Sequence, residues 1–293
     1  MIFERAFALS TGIKPVQVVR NGTLSGSNLA RAVIALGNFD GFHLGHQLLL
    51  QKARQIAGTI RPLAVMSVEP HPRQFFNPDI VIARLALPEQ KHRLAEMLGL
   101  DYIFEPDFNQ DFASLTPEAF VIDILHRRLD ISHIIVGENF RFGAGRRGNC
   151  ETLITLANSV GIGVDIIPLQ TAFSSTHIRK ALQDGNVKSA CQSLGRAWEA
   201  SIVWRDNGYH LAEGLVCPKE GYYVLADPSD GRVFISQLAQ DGRIWSAVSC
   251  PAGSHSGTFR ALKSLELTIR RRSIRFSGQH CFSVFALQKR RLH

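Results

Sequence analysis

Between residue 32 and about residue 195, short apolar runs alternate with segments whose apolar residues recur at helical spacing, and few folds accept that alternation. The apolar runs lie at 32–36, 63–68, 101–104, 132–136 and 164–167. Between them stand helix-spaced segments at about 43–57, 88–98, 116–129 and 151–160, with shorter ones reaching residues 182 and 187–194. Strands joined through helices pair in parallel, because a parallel neighbour needs a long crossover. The predicted architecture is therefore α/β, an open parallel sheet with helices on its faces. In such sheets ligands bind beyond the carboxyl ends of the strands.

The first strand leads into the stretch that carries the chemistry. Its apolar run stops at Gly37, a polar turn follows, and a helical pattern begins with His43 and His46 three residues apart. Three apart on a helix is the same face. In the first turn of a helix the backbone N–H groups lack partners and the dipole favours anions. A buried strand, a glycine turn and a helix opening on two histidines describe a phosphate site. Taken singly, each residue has a plainer reading: Asp40 as an N-cap, a histidine as a surface group. The combination Gly37-x-Phe39-Asp40-x-x-His43-x-Gly45-His46 resembles the nucleotidylyltransferase signature G-x-F-D-x-x-H-x-G-H, with every fixed position filled.

Three later strand ends are also rich in chemistry. After the 63–68 run comes Glu69-Pro70-His71-Pro72, a stiff extended loop. After the 132–136 run comes a loop dense in glycine, arginine and phenylalanine, containing Asn139, Phe140, Arg141, Phe142, Arg146 and Arg147. Its rings suit stacking on a flat ligand; its plainer reading is a surface loop. After the 164–167 run, Ser174, Ser175, Thr176 and Arg179 offer hydroxyl and guanidinium donors for phosphate oxygens. Alone, those hydroxyls read as helix caps. No serine or cysteine sits in a triad-like motif, so the expected chemistry is positional and electrostatic rather than covalent.

Composition narrows the classes. With 33 Lys and Arg against 25 Asp and Glu, the net charge is +8, which suits a polyanionic ligand. The basic clusters at 270–275 and 289–291 carry no recognisable nucleic-acid motif, so no nucleic-acid partner is expected. No apolar run is long enough to span a bilayer, and no basic region precedes a long apolar core at the start, so neither membrane nor secretory signal is expected. Five widely spaced cysteines without a Cys-x-x-Cys pair fit a reducing cytoplasmic setting. The pattern specifies no metal ligand and no oligomer.

After Trp198 helical periodicity fades. Tyr222 to Leu225, the turn-forming Asp227-Pro-Ser-Asp-Gly231 and Val233 to Ile235 predict a hairpin, and further strands are expected at 265–269 and 282–287. The expected division is residues 1–197 and 198–293, the latter a small mostly-β, barrel-like module.

Together these segments resemble the bacterial bifunctional FAD synthetase family (riboflavin kinase/FMN adenylyltransferase). The resemblance rests on Gly37 to His46, Pro70-His-Pro72 with Phe75, Val136 to Gly143 with Arg146 and Gly148, Ser174 to Arg179, and the 182–196 stretch, in the family's order. It implies an open parallel-sheet (Rossmann-like) nucleotidylyltransferase domain using ATP and FMN with Mg²⁺. By motif, it implies that His43, His46, Ser175, Thr176 and Arg179 hold ATP phosphates. Gly37, Asn38, Phe39, Asp40, Gly45 and Ser174 would shape or line that site. Pro70, His71, Pro72, Asn139, Phe140, Phe142 and Arg146 would face the flavin. Two departures stand out. Asn139 replaces an aspartate of the family pattern, losing a charge. The riboflavin kinase segment Gly-Phe-Pro-Thr-Ala-Asn is missing; the stretch from Gly208 to Val216 occupies about that region without a Pro-Thr pair. The second domain is therefore expected to be a barrel without kinase activity. Open alternatives are nucleotidyl transfer to another phosphorylated small molecule, or a silent nucleotide- or flavin-binding regulator.

Overall fold

The computed structural model describes residues 14–20, 31–168, 173–226, 233–246 and 255–259. They pack as two compact units, one drawn from 1–82 and 91–171, the other from 83–90 and 172–293. The strands expected at 265–269 and 282–287, and the basic clusters beyond them, lie outside the described residues.

The first unit is a six-stranded sheet. Its strands are β1 (Gln17–Val19), β2 (Val33–Leu36), β3 (Leu63–Met66), β4 (Tyr102–Phe104), β5 (His133–Gly137) and β6 (Gly163–Ile167). The order is β1-β4-β3-β2-β5-β6, and every pairing is parallel. β2 and β3 are buried at every residue, as strands covered on both faces must be. From β2 the chain moves to β3 and β4 on one side, then returns to β5 on the other. The reversal puts a topological switch point at the carboxyl ends of β2 and β5.

Helices Leu44–Ala57, Pro88–Met97 and Cys150–Ser159 fall where their periodicity predicts. Pro117–Ala119 is α-helical and is capped by Thr116, whose side chain accepts from Ala119 N–H. It continues as a π-helix over Phe120–Arg128, which buries Phe120, Val121 and Leu125. Two short helices, Pro72–Phe76 and Gln110–Ala113, occupy stretches without a legible period.

In the second unit, helices Ser175–Gln183 and Val187–Leu194 share a core with a β-barrel. The barrel strands are β7 (Trp198–Arg205), β8 (Gly208–Leu211), β9 (Gly221–Ala226), β10 (Val233–Leu238), β11 (Arg243–Ser246) and β12 (His255–Phe259). They close in the order β10-β11-β8-β7-β12-β9. The expected pairing of β9 with β10 is present and antiparallel, and the turn expected at 227–231 lies outside the described residues. A tighter hairpin joins β7 to β8 through Asp206 and Asn207, at φ 49° and 53°. Positive φ at both positions is what a two-residue turn between right-twisted strands requires. Residues 83–90 pack with the barrel: Trp198 Nε1 donates to Leu85 O at 2.8 Å.

Candidate active site

The turn after β2 is tight and strained. Phe39, Gly41 and Phe42 take φ 46°, 74° and 42°. Left-handed backbone costs a non-glycine residue about 1–2 kcal/mol. Burial of the two rings offsets it: Phe39 and Phe42 are fully buried and stack with centroids 5.4 Å apart. A side chain at Gly37 would lie against the Phe39 ring, with its Cβ 3.4 Å away. Asp40 opens a 3₁₀ turn, Asp40–Phe42, and is half-buried.

The helix Leu44–Ala57 is capped by His43, not by Asp40. His43 Nδ1 accepts from the His46 backbone N–H at 3.3 Å. An accepting Nδ1 puts the proton of the neutral ring on Nε2. The ring of His46 lies over that of His43, with centroids 3.7 Å apart and planes 18° apart, and packs 4.9 Å from Phe39. Gly45 sits between them in the first helical turn. Burial holds the His46 imidazole well below its usual pKa, and neighbouring His43 adds to the effect. His46 is thus neutral near pH 7, and its Nδ1 is enclosed without a hydrogen-bond partner among the described residues.

At the end of β3, Pro70, His71 and Pro72 lead into the helix Pro72–Phe76, and His71 is its cap. His71 Nδ1 accepts from Arg73 N–H at 3.2 Å. Its Nε2 stands 3.0 Å from Asn38 Nδ2; with Nδ1 accepting, Nε2 carries the proton of the neutral ring, and turning the Asn38 amide end for end gives that proton the oxygen as acceptor. The Pro-His-Pro loop and the turn after β2 are so tied directly. Beneath them lies a buried ionic cluster that the sequence pattern does not reveal. Lys91 Nζ is 2.7 Å from Glu69 Oε1, 3.4 Å from Glu105 Oε1 and 3.0 Å from Ser67 Oγ.

The loop after β5 divides its residues. Asn139 and Arg146 are exposed, Phe140 is half-buried, and Phe142 is buried in the core against Phe120. Phe140 stacks on Phe142, with centroids 5.6 Å apart and planes 16° apart. From there a row of rings continues through Phe120, Phe112 and Phe108 to Phe75, each step between 5.3 and 6.2 Å. The row joins the Phe140 loop to the Pro-His-Pro helix. Phe108 and Phe112 carry no signal in the sequence, since a loop and a four-residue helix show no period.

In the second unit, Ser174 caps the helix Ser175–Gln183, its hydroxyl accepting from His177 N–H at 3.2 Å. Ser175 is half-buried and Thr176 is exposed in its first turn. Arg179 Nε donates to Ala83 O at 2.7 Å, which fixes the base of its guanidinium.

Comparison with known proteins gives one consistent picture. A family model described as FAD synthetase matches residues 26–180. A protein from Listeria monocytogenes named FAD synthetase is 33% identical over 197 residues, covering 66% of this chain and 80% of its own length. The bifunctional riboflavin kinase/FMN adenylyltransferase of Escherichia coli K12 is 38% identical over 177 residues; the match spans 56% of that enzyme's length. A solved structure described as a macrolide-efflux protein from Streptococcus pneumoniae superposes with TM-score 0.70 at 21% identity, over 86% of this chain and 94% of that one. At that identity the likeness is one of fold.

Proposed function

We propose that this chain, which belongs to the FAD synthetase family, is an FMN adenylyltransferase that joins the AMP of ATP to FMN. A phosphate oxygen of FMN attacks the α-phosphorus of ATP. The bond to the β-phosphate oxygen breaks, and FAD and pyrophosphate form. The observation that carries this reading is the pair of stacked imidazoles heading a helix at the sheet's switch point.

In this reading His43 and His46 donate to triphosphate oxygens, and the first turn of their helix adds its dipole. Ser175, Thr176 and Arg179 are the proposed phosphate donors of the second unit. Asn38, Phe39 and Asp40 hold the turn in shape. His71 and Phe140, at the two ends of the phenylalanine row, are proposed to meet the isoalloxazine ring. Rate acceleration comes from placement and from donors aimed at developing charge. Mg²⁺ suits this donor set as a companion of the triphosphate: the turn offers one carboxylate, Asp40, and such ions are held chiefly by substrate phosphates. Bound there, it would neutralise charge on the transferred group.

A cytoplasmic enzyme without riboflavin kinase activity completes the proposal. Among the described residues no helix is long and apolar enough to cross a membrane, and Cys150, Cys191 and Cys217 are free thiols. Residues 198–293 are proposed to be a barrel that lost the kinase segment. The test is to incubate pure protein with Mg-ATP and either FMN or riboflavin and to separate the flavin products. FAD from FMN, and no FMN from riboflavin, is expected. FMN appearing from riboflavin would overturn the kinase part, and absence of FAD would overturn the whole. Asn139, where the family pattern has aspartate, favours one second reading: adenylyl transfer to a different phosphorylated acceptor, visible as pyrophosphate release without FAD.

A further inference from the structure

Lys91 is among the most buried charged residues of the first unit, and nothing assigned so far uses it. Its side chain is 4% exposed, and Glu105 beside it is 2% exposed. Burying such charges is costly, and removing one partner leaves the rest uncompensated. A packed apolar residue on this helix would avoid that cost, so what the cluster bonds to is informative.

The bonds form a closed circuit. Lys91 Nζ donates to Ser67 Oγ at 3.0 Å, and that hydroxyl donates to Asn38 O at 2.9 Å. The Asn38 side chain meets His71 Nε2 at 3.0 Å. Two residues before His71, the Glu69 carboxylate returns to Lys91 Nζ at 2.7 Å. Outside the ring, Glu105 joins Lys91, His92 Nε2 at 3.0 Å and Arg20 Nε at 3.8 Å. Burial alone would raise the Glu105 carboxyl; the hydrogen bond from His92 and the charge of Lys91 outweigh it and hold the group below its usual range. The Glu69 backbone is also pinned, accepting from Phe108 N–H and donating to Pro106 O.

We propose that Lys91 is a positioning residue for adenylyl transfer: through Ser67 it fixes the turn that presents His43 and His46, and through Glu69 it fixes the loop that presents His71. One buried cation thereby sets the spacing between the triphosphate end and the flavin end of the first unit's site. The proposal rests on the adenylyltransferase reading, and it asks of Lys91 only that it hold other groups. A displacement of about 1 Å between reacting partners is enough to cost on the order of 100-fold in rate.

Ser67→Ala breaks one arm of the circuit and leaves the ion pairs standing; Lys91→Met breaks both arms. Expected in Ser67→Ala is a fall in kcat of about tenfold per folded molecule, with KM for ATP and FMN changed less than about threefold. Lys91→Met falls further, and adding Ser67→Ala to it costs less than the two losses multiplied, because the hydroxyl that still reaches Asn38 O is no longer held by a fixed cation. Nitrogen NMR of labelled histidine reads the same circuit without catalysis: His71 is a single tautomer, protonated on Nε2, in wild type, and becomes a mixture in Lys91→Met. An unchanged kcat in Ser67→Ala overturns the proposal, as do losses that multiply in the double variant. Should Lys91→Met not fold, Ser67→Ala decides alone. Should wild type form no FAD, the adenylyltransferase reading has failed, and an unaltered His71 signal in Ser67→Ala and Lys91→Met then overturns the circuit separately.

Discussion

His46 lies face to face with His43, their ring centroids 3.7 Å apart, and His43 gives its Nδ1 to the backbone N–H of His46 itself. The first ring is thus oriented by the helix it caps, and the second is oriented by the first. Neither is a flexible surface imidazole. Both are held at the end of β2, where a triphosphate would bring negative charge to His46, kept neutral by burial.

That burial gives a pH signature. His46 titrates below its usual range in the free protein. Triphosphate oxygens would favour its charged form and raise the pKa, so binding ATP near neutral pH draws in protons. Affinity for ATP should rise as pH falls through the ordinary histidine value of about 6.5 toward the lower pKa of the free protein. Calorimetry of ATP binding in buffers of different ionisation enthalpy measures the uptake. The His46→Ala variant should lose most of it. A heat independent of buffer would remove the linkage.

The same depression acts on folding with a definite sign. The unfolded chain binds a proton at His46 more readily than the folded one. Its contribution to stability is therefore whole above the unfolded pKa of about 6.5 and is lost as pH falls from there toward the lower folded pKa. Thermal unfolding between about pH 7 and pH 5 should show a downward slope in Tm that is shallower in His46→Phe. An identical slope in the variant would assign the acid sensitivity elsewhere.

His46→Ala separates chemistry from scaffolding. The buried ring packs against Phe39, Phe42 and His43, so its removal should cost about 1–3 kcal/mol of stability. Loss of one preorganised donor to the transferring group should lower kcat on the order of 100-fold or more. Steady-state FAD formation beside a denaturant curve gives both numbers. Unchanged turnover would count heavily against the assignment.

Much of this fold is legible in the sequence because most strands and the longer helices of the first unit announce themselves by their own period. The 32–36, 63–68 and 132–136 runs are buried strands, and the signature from Gly37 to His46 falls at a strand-to-helix turn, as its spacing requires. Contacts between distant segments leave no such trace. Lys91 reads as one more polar residue on a helix; only the fold sets it against Ser67, Glu69 and Glu105. The helix Pro72–Phe76 is too short to show a period, so its turn reads as loop. Asp40 reads as the natural cap, yet the left-handed backbone at Phe39 and Phe42 carries the chain one step on, and His43 takes that place. Phe142 reads as a ligand-facing ring like Phe140, since nothing in a glycine-rich loop tells which ring turns inward.

Phe142 in turn makes the flavin end testable. Gly148 passes so close to its ring that a Cβ there would lie 2.7 Å from Phe142 Cε1, with further ring carbons at 2.8 Å. Gly148 and Phe142 are also paired backbone to backbone, N–H to C=O at 3.0 and 3.2 Å, so the strand segments cannot simply separate. In Gly148→Ala the ring must move instead, and Phe140 stacked upon it must follow. Overpacking of this kind costs about 1–3 kcal/mol, which the first unit should survive. The expected result is a folded protein with weakened FMN affinity, read by quenching of flavin fluorescence, while ATP affinity at the other end stays within about twofold of wild type. Gly148→Ala binding FMN as tightly as wild type would show that Phe140 does not meet the flavin. Equal losses for both ligands would show instead that the Phe142 contact supports the unit as a whole rather than the flavin end.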